Sequence, residues 1–165
     1  MGVCFDTRYP GPHVIGFQSG NGIKLPTPGD IGDVARLLAM VLGLYESAAV
    51  LWIWRRSGSW APSARDLYCY GGIIRGLEKL GFPLAQGASL SETSDRPALP
   101  ALLLLWVTIQ WCVDDDIFLV SGNNSPVAWI DHDGDIFLDC ANDKAASELM
   151  AHFANWQPKR WNSKG

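Results

Sequence analysis

Asp133-Gly134 lies between two short runs rich in strand-forming residues, Val127–His132 and Asp135–Cys140. An aspartate-glycine pair tolerates the positive φ angles of a two-residue type I′ turn, so this pattern predicts a β-hairpin. In that register Val127, Trp129, Leu138 and Cys140 share one face, and Ala128, Ile130 and Phe137 share the other. Apolar residues on both faces call for a sheet covered, at least in part, on both sides. Asp116–Ser121 reads as a preceding strand and Gly122–Pro126 as its connecting loop. The three strands make an antiparallel meander over about residues 116–140.

Helical patterns surround the meander. Asp30 or Asp33 can cap a helix that runs to about Tyr45, their charge favoured at the positive end of its dipole. This helix either continues to Trp54 or gives way to a strand over Ala48–Trp54, because a fully apolar run carries no periodicity to decide between them. Ser63 opens a second helix, with Leu67, Tyr70, Ile74 and Leu77 on one side and Gly81 and Pro83 at its end. Residues 98–113 read as a buried helix that could also be a strand from Val107 onward. A last helix runs from Asp143 to about Trp156 and carries Leu149, Met150, Phe153 and Trp156 as its apolar stripe. Residues 1–29 are rich in Gly and Pro, with short strands at Val3–Thr7 and His13–Gln18 and a plain turn over Gly16–Lys24. Residues 84–97 form an exposed polar loop, and 157–165 a loose basic tail. The expected architecture is a single α+β domain spanning 1–165: a three-stranded meander packed by three to four helices.

Charge is distributed unevenly. Of the 165 residues, those between Arg96 and Lys144 include no lysine or arginine but eight aspartates, whereas the net charge of the whole chain is only −4. An acidic chain lacks the basic face that nucleic-acid binding requires. The four cysteines, Cys4, Cys69, Cys112 and Cys140, are far apart and form no C-x-x-C pair, so neither a zinc site nor a redox motif is indicated. The first residues lack a basic region followed by an apolar one, so they do not read as a signal peptide. Reduced thiols in a cytoplasmic protein are expected. The apolar run Leu37–Trp54 is interrupted by Glu46, which is costly inside a bilayer, and Ala101–Val113 is too short to span one. A buried helix is therefore the better reading of each.

The candidate functional residues come from the acidic stretch. The hairpin brings Asp131, Asp133 and Asp135 to one tip beside His132, and the triplet Asp114, Asp115 and Asp116 enters the first strand. In an up-down-up meander both groups reach the same end of the sheet. An EF-hand loop fails here, because aligning its glycine with Gly134 puts Trp129 at the first ligand position. No G-x-S-x-G elbow is present. A strand ending in D-x-D, with Asp139 as a third acid, resembles the nucleotidyltransferase pattern. The chain departs from that pattern with Ser121-Gly122 in reversed order and Pro126 in the spacer. The resemblance implies a small metal-dependent nucleotidyl- or glycosyl-transferase using Asp131, Asp133 and Asp139. The preferred expectation is a protein that is not an enzyme and needs no metal or cofactor. It would present Asp114, Asp115, Asp116, Asp131, Asp133 and Asp135, with Trp129 as an aromatic anchor, to a basic protein partner. A small immunity protein or antitoxin that masks a toxin's active site has this character.

Overall fold

The computed structural model describes residues 21–48, 51–55, 88–91, 104, 116–121 and 126–161. Seven strands form one antiparallel sheet: β1 (Gly22–Pro26), β2 (Leu51–Arg55), β3 (Ala88–Ser91), β4 (Ile117–Ser121), β5 (Val127–Ile130), β6 (Asp135–Asp139) and β7 (Lys159–Trp161). Their order across the sheet is β3-β2-β4-β5-β6-β1-β7. The described residues also hold two α-helices, α1 (Ile31–Gly43) and α2 (Asp143–His152), and a 3-10 turn at Ala154–Trp156.

The expected three-stranded meander packed by three to four helices is therefore corrected. The meander exists as β4-β5-β6, but it is the centre of a larger sheet, with β2 and β3 on one side and β1 and β7 on the other. Three of the four added strands come from segments whose local composition pointed elsewhere; β2 falls in the strand offered as one reading of Ala48–Trp54. Gly22–Pro26 lies in the Gly/Pro-rich start and pairs with β6 along its whole length. Ala88–Ser91 lies inside the segment read as an exposed loop and pairs with β2. Lys159–Trp161 lies in the segment read as a loose tail and pairs with β1. Backbone pairing supplied by a neighbour overrides weak local preference in all three. The expected strands at Val3–Thr7 and His13–Gln18 and the helix opened by Ser63 lie outside the described residues. So do residues 98–113, apart from Leu104.

The question over Leu37–Trp54 resolves as helix, turn and strand. Asp30 caps α1 by accepting hydrogen bonds from the N–H groups of Gly32 and Asp33. The helix ends at Gly43, and residues 44–47 form a turn before β2 begins. The Tyr45 hydroxyl donates to the Pro126 carbonyl at 2.8 Å, tying that turn to the β4–β5 connection. Among the described residues no helix is long and apolar enough to cross a membrane.

The core lies on one face of the sheet. Ile23, Leu25, Leu51, Ile117, Leu119, Ala128, Ile130, Ile136 and Leu138 line that face and pack with Val34, Leu37, Leu38 and Val41 of α1 and Ala146 of α2. Phe153, just after α2, is fully buried in the same cluster. Asn142 caps α2 through the Ala145 N–H. The opposite face carries an aromatic row: Trp129 stacks on Phe137 with centroids 4.6 Å apart and on Phe118 at 6.2 Å. Trp161 adds a tilted contact to Phe137 at 5.0 Å. Gly22 makes room for it, since a Cβ there would lie 2.5 Å from the Trp161 ring.

The hairpin register differs by one residue from the expected one. The observed pairs are Ala128 with Leu138, Trp129 with Phe137, and Ile130 with Ile136. A two-residue Asp133-Gly134 turn would instead pair Trp129 with Leu138. The loop has three residues: the Gly134 N–H donates to the Asp131 carbonyl and the Asp131 N–H to the Asp135 carbonyl. Gly134 takes the positive φ of 92° that closes such a loop. A one-residue slip turns a whole strand over, so Leu138 faces the core and Phe137 joins Trp129 on the aromatic face.

Candidate functional site

The register that builds the core also creates an electrostatic problem at the end of the sheet. Ile117 pairs with Ile130. One step further along the same register puts Asp116 opposite Asp131, and Asp131 hydrogen-bonds to Asp135 across the hairpin. Three carboxylates thus stand in a row on neighbouring strands, at positions where like charges repel. Asp116, the first of them, is fully buried.

Two basic side chains answer this row. Lys24 on β1 reaches Asp135 at 2.5 Å. It also lies over the Phe137 ring, 5.4 Å from its centroid. His132 serves the other two acids. Its Nδ1 lies 2.7 Å from Asp116 Oδ1, and its backbone N–H donates to the same oxygen at 3.1 Å. Asp131 Oδ1 lies 3.0 Å from the same ring nitrogen. A single N–H cannot serve both acids equally, and the shorter contact assigns it to Asp116. The attraction to Asp131 is then chiefly electrostatic. Asp133, beyond the ring on its Nε2 side at 3.8 Å, has a side chain that is 80% exposed.

Protonation follows from this arrangement. The Asp116 hydrogen bond holds the imidazole above its ordinary value, and the charges of Asp116, Asp131 and Asp133 add to the effect against partial burial. The Asp131 carboxyl is raised by burial first and by the neighbouring Asp116 second, while an Asp133 backbone N–H works the other way. The donor atoms of Asp116, Asp131 and His132 all lie within 4.8 Å of one another. The 2.7 Å His132–Asp116 separation is that of a charge-assisted hydrogen bond, and the ring, when protonated, supplies a positive charge among the acids.

The candidate residues read from the sequence therefore separate. Asp116 and Asp131 turn inward to His132. Asp135 is engaged by Lys24, and Trp129 is part-buried in the aromatic row. Asp133 points outward. Asp114 and Asp115 lie outside the described residues. Asp139 closes the far end of β6, paired with Val127 and Gly22. Four strand steps put it about 13 Å from Asp135, so Asp131, Asp133 and Asp139 do not converge. The keystone His132 and the counter-ion Lys24 were not singled out as site residues from sequence. Lys24 carried no signal, because its segment did not read as a strand. Burial pushes the Cys140 thiol up to about 11, which disfavours its reactive thiolate form. No protein-family model, curated protein or solved structure matches the chain.

Proposed function

We propose that the chain is a small cytoplasmic binding protein that neutralises a basic protein partner, as an immunity protein masks a toxin enzyme, and that it does so through the acidic end of its sheet. The observation that carries this reading is the outward Asp133 carboxylate on a turn whose neighbours are fixed from inside. A charge held on a rigid turn loses little freedom on binding, and complementary charge speeds encounter. Further acids support the same end. The Thr27 N–H donates to the Gly134 carbonyl at 3.1 Å, so the segment leading to the exposed Asp30 begins at the hairpin tip. Asp114 and Asp115 directly precede Asp116 in the chain. The separation of Asp139 from the tip argues against the transferase alternative.

The test is association with the protein encoded by the gene adjoining its own, measured by stopped flow at low ionic strength and at about 0.15 M, where screening acts within roughly 8 Å. The expected result is fast, salt-sensitive association that Asp133→Lys slows markedly. Absence of association, or an Asp133→Lys variant with an unchanged rate and salt dependence, contradicts the reading.

A further inference from the structure

We infer that the hairpin tip is a proton-operated latch: the His132 ring, seated between the buried Asp116 carboxylate and Asp131, closes the Asp131–Gly134 turn onto β4 when it carries its proton and loosens the turn when it loses it. The latch concerns the conformation of the same end as the proposed interface. Its bearing on a partner rests on that reading, but the latch itself is intramolecular and is tested without a partner.

Three observations support it. First, His132 binds the turn to Asp116 at two points, since both its ring and its backbone N–H engage Asp116 Oδ1. Second, the register sets Asp116 and Asp131 opposite each other with the same ring nitrogen 2.7 Å and 3.0 Å from them, so loss of the ring's proton removes an attraction that both acids share. Third, the ring is close enough to the surface to exchange its proton, with 29% of the side chain exposed. The charged groups facing His132 among the described residues are Asp116 from the start of β4 and Asp131 and Asp133 from its own turn. Asp135 of β6, next along the row, is already engaged by Lys24 of β1.

The direction follows from linkage. A histidine raised by folding contributes its full stabilisation below its unfolded value, about pH 6.5, and loses it as the pH rises through the raised folded value. The raised Asp131 acts in the same sense, because the folded state favours its neutral carboxyl and ionisation at higher pH adds repulsion toward Asp116. The latch is thus closed in mild acid and opens toward alkaline pH.

The experiment is an NMR pH titration of the intact chain, reading the His132 ring protons together with exchange of the Asp131 and Gly134 amides, corrected for intrinsic exchange rates. The His132 midpoint is expected above about 6.5. The protection of both amides should fall severalfold or more across that midpoint. In Asp116→Asn the midpoint should return toward its ordinary value. In His132→Gln the protection should be independent of pH over that range. If His132→Gln does not fold, the parent and Asp116→Asn midpoints decide the matter. A parent midpoint at or below about 6.5, or amide protection that stays constant while His132 titrates, overturns the latch.

Discussion

Two clusters in the C-terminal third are built from the same ingredients, an aspartate, a basic side chain and a short strand, yet they play different parts. At the hairpin tip, Asp116 is fully buried and accepts two hydrogen bonds from His132. At the other cluster, Arg160 of β7 pairs with Asp143 of α2 at 3.1 Å and also contacts Ser147, but the Asp143 side chain is 80% exposed. In water an ion pair is screened and costs side-chain freedom, so the Asp143–Arg160 pair contributes little. Inside the protein a charge that loses a hydrogen-bond partner keeps its desolvation cost, so the His132 contacts weigh more at the tip than the exposed pair does at α2. An aspartate count in sequence weights the two clusters equally, whereas burial ranks them far apart.

Substitutions can sharpen or break this contrast. The largest effect is expected from Asp116→Ala, which removes the acceptor of the His132 N–H and the nearer acceptor of its ring. About 2–3 kcal/mol of stability should be lost in denaturant unfolding, and a loss no greater than that of Asp143→Ala would erase the distinction. Next is Gly134→Ala. A φ of 92° is unfavourable for any residue with a Cβ, so this variant should lose about 1–2 kcal/mol by the same assay. A neutral result would mean that the loop tolerates another shape. Asp143→Ala should cost only about 0.2–1 kcal/mol, with the loss shrinking as salt is added. The smallest change is expected from Asp133→Lys, within about 0.5 kcal/mol in thermal unfolding. A larger loss there would show that Asp133 supports the fold rather than facing a partner.

How much of this was legible beforehand depended on the range of the interactions involved. The helix over Ile31–Gly43 and its cap are local: the sequence offers Asp30 or Asp33 as the cap, and Asp30 takes the role. Asp133-Gly134 located the hairpin but did not set its register. An aspartate-glycine pair serves a two-residue turn or the end of a three-residue loop, and the residue that grips the loop from outside is Asp116, 16 positions before His132. Within Asp114-Asp115-Asp116 no local pattern distinguishes the buried acid from the others. Lys24 is farther still, and its role appears only once Gly22–Pro26 is known to pair with β6. The edge strands were the least legible part. Ala88–Ser91 and Lys159–Trp161 are short segments, and their strand structure is defined by pairing with β2 and β1.

A pair of double-mutant cycles measures the contrast most directly: Asp116→Asn with His132→Gln at the tip, and Asp143→Asn with Arg160→Gln at the α2–β7 contact. Urea unfolding near pH 6 should give a coupling of about 1–3 kcal/mol at the tip and under about 0.5 kcal/mol at the exposed pair. Equal couplings, or a tip coupling near zero, would contradict the claim that the part-buried histidine–aspartate contact holds the acidic end of the sheet in place.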